Sequence, residues 1–240
     1  VDAEPVASIV LGYDGRKNSR VFAIDSAEIF AGAGLRVILL PRLLPTPVLA
    51  FAVRYFGADA GVMVTASHNP PNDNGYKVYL GGADEGAQIV SPVDAEIAAQ
   101  IERVEIAAAG DDRRIVQRRH LLGQYGLADR RLPIDRCHQL LRFNAYIAAT
   151  AAVAPAPVGA SALTWVYTAM HGVGWETFAR VVKAAGYSEP IVVKQQRDPD
   201  AAFPTGSFPN PEEPGAMDPA FAAAGAAGAD FIVANEPDAD

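Results

Sequence analysis

Three short apolar runs, residues 6–13, 35–40 and Ala60–Val64, are separated by two stretches whose apolar residues recur at helical spacing. This order restricts the chain more than any other feature. Runs that are apolar at successive positions suit strands covered on both faces. Parallel neighbours need a crossover long enough to hold a helix. The helix signals fall where crossovers belong. Asn18 and Ser19 are capping types ahead of the run 20–33, and Gly34 ends it. The Pro-rich connection 41–47 leads into a helix running to Phe56, with Pro47 suited to its first turn. A fourth strand-like run, Tyr76–Leu80, follows residue 64 too closely for a crossover, so it is read as a hairpin partner. Ser91-Pro92 opens a further helix over 91–107.

Composition shifts to Gly, Asp and Arg over 108–119, where a domain boundary is expected. Residues 120–149 read as mainly helical with a break at Pro133, and 151–160 as an Ala/Pro/Val/Gly link. The pattern then restarts: strand 163–167, helix 175–185, strand 191–194, a Pro-rich loop 198–215, helix 218–227 and strand 230–234. The expected fold class is α/β. Two three-layer α/β/α domains are predicted, with mixed, mostly parallel sheets, over residues 1–118 and 119–240.

Bulk properties remove several functions. A net charge of −8 disfavours non-specific nucleic-acid binding, which needs Lys and Arg against phosphates. It is compatible with a small phosphorylated ligand, because a cleft's local field can outweigh the surface. The single cysteine, Cys137, allows no intramolecular disulfide. No apolar run has membrane-spanning length and no basic-then-apolar leader opens the chain, so a soluble, cytoplasmic protein is expected. The glycines at 32, 34, 81 and 82 lack dinucleotide-fingerprint spacing. His68 with His171, or Cys137 with His138, lack zinc-ligand spacing.

The chemistry-bearing residues sit just past predicted strand ends, where open α/β sheets bind ligands. Ser67 and His68 follow the third strand and Lys77 lies in the fourth, on a loop pinned by Asn69, Pro70, Pro71 and Gly75. A hydroxyl nucleophile needs a base and nearby positive charge, and this loop carries both. Glu236, Asp238 and Asp240 alternate after the last strand and can converge on a hard cation such as Mg²⁺. Asp14-Gly15-Arg16 ends the first strand. Met170-His171-Gly172-Val173-Gly174 opens a helix, whose N-terminus favours anions.

Thr65-Ala66-Ser67-His68-Asn69-Pro70 followed by Asn74-Gly75-Tyr76-Lys77 resembles the phosphoserine loop of the α-D-phosphohexomutase family of phosphoglucomutases and phosphomannomutases. The resemblance extends over residues 6–240. It implies a phosphosugar mutase that moves phosphate between C1 and C6 of a hexose through phosphoserine 67 and a bisphosphate intermediate, with a bisphosphorylated sugar as activator. It implies Lys77 as general acid/base, His68 beside the phosphoserine, Arg16 and His171 at the phosphate, and Mg²⁺ on Ser67, Glu236, Asp238 and Asp240. The family's metal loop has aspartate where Glu236 stands here. Glutamate is one methylene longer, which leaves open direct, water-mediated or weak ligation. The sequence leaves open the sugar, the oligomeric state and the phosphorylation of Ser67. A phosphopentomutase, or an inactive folded module with a binding role, are the alternatives. The chain opens at Val1 and ends inside a charged motif, so a piece of a longer protein is expected. The family's third and fourth domains, which select the sugar and bind its non-transferring phosphate, are not among these residues. Efficient turnover by this stretch alone is therefore not expected.

Overall fold

A computed structural model describes residues 6–109, 134–136, 139–206 and 208–240. The first sheet is built around β1 (Ser8–Tyr13), with β2 (Arg36–Leu39) and β3 (Ala60–Val64) parallel on either side. β4 (Tyr76–Leu80) pairs antiparallel with β3, and a two-residue β5 (Ala87–Gln88) pairs antiparallel with β4. β6 (Ile134–Arg136) adds a parallel edge beside β2, giving the order β5-β4-β3-β1-β2-β6. The hairpin and the antiparallel edge are as the sequence predicts. Residues 134–136 are not: the expected helical stretch is a strand there. The expected boundary at 118/119 and the helix over 120–133 lie outside the described residues.

Period-two alternation divides the first core. Ile9, Leu11 and Tyr13 of β1 face one side, with Ala23, Ala27 and Ala31 of helix α1 (Ser19–Gly32). Val10 faces the other side, with Val48, Leu49 and Val53 of helix α2 (Thr46–Phe56). The small residues of α1, four apart, let that helix lie close to the sheet. Leu49 is fully buried, which is worth about 2 to 3 kcal/mol of transfer free energy. Helix α3 (Val93–Ala109) follows the edge strands.

Helix α4 (Gln139–Val153) contributes Phe143 and Ile147 to the α2 side of this core and also packs along helix α5 (Gly174–Ala185). The guanidinium groups of Arg42 and Arg180 lie over the Phe143 ring, 5.1 Å and 4.7 Å from its centre. The second sheet is parallel throughout: β7 (Trp165–Thr168) is central, flanked by β8 (Ile191–Val192) and β9 (Phe231–Ala234). Tyr167 stacks on Phe178 of α5 at 4.1 Å between ring centres. Val166 turns to the opposite face, with Ala220 of helix α6 (Asp218–Ala227). Both sheets are therefore covered on two sides.

The strand orders position the site. The chain leaves β1 for β2 through α1 on one face, then returns across β1 to β3 through α2 on the other. The carboxyl ends of β1 and β3 thus flank a topological switch point, where open α/β sheets bind ligands. The second sheet repeats the arrangement at β7 and β9. The loops after these four strands carry every candidate site residue except Lys77, which lies in β4 itself.

Candidate active site

The loop after β3 is folded on a buried polar base. Asp14 accepts hydrogen bonds from the Arg16 amide (3.0 Å), Ser19 Oγ (2.6 Å) and Thr65 Oγ1 (2.7 Å). Burial pushes the Asp14 carboxyl up, against the pull of those donors and of Arg16. Thr65 Oγ1 in turn accepts the Ser67 amide at 3.0 Å. Arg16 lies beneath the loop with no side-chain exposure. Its Nη1 donates to the carbonyls of Pro70 (2.9 Å) and Asp73 (3.4 Å), and its Nη2 to those of Ser67 (2.6 Å) and Asn69 (2.7 Å). Its Nε is 3.6 Å from Asp14 Oδ2 and has no hydrogen-bond partner among the described residues. The family resemblance implies Arg16 at the phosphate. The structure gives it the place of a strut, because both of its terminal nitrogens are taken up by loop carbonyls.

Held this way, Ser67 adopts φ +51°, the left-handed region that a side chain disfavours. Its Oγ lies 2.5 Å from Glu236 Oε2 and 3.3 Å from Asp238 Oδ1. The β3–β4 hairpin closes with the Thr65 amide on the Gly75 carbonyl, which brings Lys77 back beside Ser67. Lys77 Nζ is 3.3 Å from Ser67 Oγ, 2.9 Å from Asp238 Oδ2 and 2.6 Å from Asp240 Oδ2. Burial works against the ammonium, but hydrogen bonds and charge attraction from Asp240 and Asp238 outweigh it and hold the Lys77 pKa above its ordinary value. His68 Nδ1 meets Glu236 Oε1 at 3.0 Å. Ser67, His68, Lys77, Glu236, Asp238 and Asp240 thus form one cluster drawn from both sheets.

The loop after β9 is positioned by the turn after β7. The Val173 amide donates to the Pro237 carbonyl at 2.8 Å, and Tyr167 donates its hydroxyl hydrogen to Asn235 Oδ1 at 2.8 Å. His171 stands apart from the cluster. It is buried, with φ +60°, and its Nε2 is 2.9 Å from Thr205 Oγ1. Gln196 joins the same network, donating to Thr205 and accepting from Thr168 Oγ1 at 2.6 Å.

Among the described residues no group of three or more His, Cys, Asp or Glu side chains is gathered closely enough to enclose an ion. The donors fit Mg²⁺ in kind, since Glu236 and Asp238 present carboxylate oxygens at one hydroxyl, and hard cations take oxygen ligands.

Sequence reading missed Thr46, whose Oγ1 donates to Asp238 Oδ2 at 2.7 Å. Its only sequence signal is a hydroxyl residue between Pro45 and Pro47 at a helix start, and nothing in that signal names a partner 192 positions away.

The family model described as "Phosphoglucomutase/phosphomannomutase, alpha/beta/alpha domain I" matches residues 2–107, and that for "alpha/beta/alpha domain II" matches residues 144–240. A probable phosphomannomutase of Haemophilus influenzae is 53% identical over 242 aligned positions, covering 100% of the chain and 45% of the relative. A probable phosphoribomutase of Schizosaccharomyces pombe is 36% identical, covering 97% of the chain and 38% of the relative. The crystal structure of a putative phosphomannomutase from Thermus thermophilus aligns with a TM-score of 0.67 at 24% identity, covering 98% of the chain and 47% of that protein. That last likeness speaks to the fold. The chain spans less than half the length of these relatives.

Proposed function

The chain belongs to the phosphoglucomutase/phosphomannomutase family, of which it matches domains I and II, and from that premise we propose that it carries the phosphoryl-transfer half of a phosphosugar mutase acting on glucose or mannose phosphate. One observation carries the reading: Ser67 Oγ meets carboxylates of the second sheet's last loop and the Lys77 ammonium at one point. A hydroxyl so placed is a phosphoryl carrier, with charge of both signs at hand.

In the forward step, a free sugar hydroxyl attacks the phosphorus of phosphoserine 67. The new P–O bond forms as the P–Oγ bond breaks, giving a sugar bisphosphate and free Ser67. Lys77 passes its proton to the departing Oγ and is replenished from the sugar hydroxyl, so protons balance. Return of the other phosphate to Ser67 completes the isomerisation, and a bisphosphorylated sugar restores any enzyme left unphosphorylated. His68 steadies Glu236, and Arg16 fixes the loop backbone from below. Glu236, Asp238 and Asp240 with the Ser67 phosphoryl oxygens would hold Mg²⁺, which neutralises charge on the transferring group. The single cysteine suits a cytoplasmic setting.

A second reading, transfer on pentose 1- and 5-phosphates, is favoured by the likeness to a probable phosphoribomutase. One experiment separates the readings. The chain is incubated with Mg²⁺ and either glucose 1,6-bisphosphate or ribose 1,5-bisphosphate, and the mass of the Ser67 peptide is followed. Gain of one phosphoryl group with the hexose donor supports the first reading; gain with the pentose donor alone supports the second. A folded chain that gains nothing from either is an inert module, and the proposal fails.

A further inference from the structure

Asp238 is fully buried, yet it touches Ser67 with one particular oxygen. Its Oδ2 receives two donors, Thr46 Oγ1 at 2.7 Å and Lys77 Nζ at 2.9 Å. A carboxylate oxygen offers about two lone-pair sites, so these two contacts fill Oδ2 and leave Oδ1 for Ser67 Oγ. Thr46 grips the same residue a second time: its backbone amide donates to the Asp238 carbonyl at 2.8 Å. Backbone and side chain of Asp238 are thus held at one point on the first residue of α2.

Local sequence makes that point rigid. Pro45 and Pro47 restrict the backbone on both sides of Thr46. Pro47 has no amide of its own to compete for the carbonyl. Thr46 is 1% exposed, so water does not replace its hydroxyl. α2 is anchored by Leu49 and Val53 in the first core, whereas Asp238 belongs to the loop after β9. The contact therefore ties the second sheet's acidic loop to the frame that also carries Ser67.

We propose that Thr46 is a positioning residue for phosphoryl transfer, one that holds Asp238 Oδ1 toward Ser67. This rests on the reading of Ser67 as the phosphoryl carrier. Thr46 touches neither the sugar nor the phosphorus and acts only through Asp238.

Thr46→Val keeps the shape and removes the hydroxyl, while Thr46→Ser keeps the hydroxyl and removes the methyl group. Phosphate uptake at Ser67 from saturating glucose 1,6-bisphosphate is expected to slow by about tenfold in T46V, with the half-saturating donor concentration little changed. In T46S the rate stays within about threefold of the unaltered chain. Equal rates in T46V and the unaltered chain would overturn the proposal, as would equal impairment in both variants, which would mark the methyl packing as the cause. The crystal structure of T46V gives a readout that needs no activity. Asp238 Oδ1 is expected to turn from Ser67 Oγ, and finding it still within hydrogen-bond distance would overturn the proposal. If the unaltered chain takes up no phosphate, the functional reading falls while the crystal structure still decides the role of Thr46. Thr46→Ala, which needs no extra space, replaces T46V if that variant does not fold.

Discussion

Gly172 and Pro237 meet backbone to backbone: a Cβ built on Gly172 would fall 2.2 Å from both the Cα and the carbonyl oxygen of Pro237. The Pro237 carbonyl is the one that accepts the Val173 amide. The turn after β7 is therefore the bed on which the acidic loop lies, and its fit depends on a missing side chain.

Gly172→Ala is expected to push that loop off its bed. The clash is with backbone, which cannot swing away as a side-chain tip does, so a cost of about 2 kcal/mol or more is expected in urea denaturation. Ser67 labelling should fall as well, because Glu236 and Asp238 flank Pro237 in sequence. Unchanged stability and labelling would show that the two loops separate freely.

Arg16 is expected to matter to the loop through its hydrogen bonds rather than its charge alone. Its two terminal nitrogens hold the carbonyls of Ser67, Asn69, Pro70 and Asp73. Lysine has the charge but no planar fork, so Arg16→Lys leaves some of these carbonyls without a donor. A loss of about 3 kcal/mol is expected, with faster amide exchange confined to residues 65–75. Wild-type exchange in R16K would place the support of the loop elsewhere.

The elements and residues legible in the sequence were those written in local chemistry. β1, β3 and the hairpin at β4 announce themselves as apolar runs, and Ser67, Lys77 and the alternating acids follow strand ends where chemistry collects. What was not legible depends on neighbours far along the chain. Residues 134–136 form an edge strand of three positions, Ile-Asp-Arg, with no periodicity to read. Arg16 was visible as a cation, but its four carbonyls converge only once the loop is folded. Thr46 looked like a helix start, and its carboxylate partner is set by how the two sheets pack.

The backbone of Ser67 supplies a comparison that needs no ligand. Ser67→Ala and Ser67→Gly both remove Oγ, and both should abolish phosphate uptake. They differ in what φ +51° costs. Alanine bears the left-handed penalty and glycine does not, so S67G is expected to be more stable than S67A by about 1 kcal/mol, despite glycine's looser unfolded chain. Thermal unfolding of the two variants measures this directly. An S67A chain as stable as S67G would mean the loop relaxes out of the left-handed conformation.

His171 gives the fold a pH dependence whose sign follows from its surroundings. Burial disfavours the imidazolium, while Asp200 pulls partly the other way, and the net effect lowers the pKa below the ordinary 6.5. Between the folded value and that of the unfolded chain, the unfolded state binds more protons. Stability therefore rises with pH through this window and is lost as pH falls below about 6.5. His171 Nε2 lies 2.9 Å from Thr205 Oγ1, which also accepts from Gln196 Nε2, so the ring is held in a buried polar network rather than in water. Urea midpoints measured from about pH 5.5 to about pH 8 should climb in the unaltered chain and climb less in His171→Gln, which keeps an acceptor but does not titrate. Parallel slopes for the two chains would remove His171 as the source.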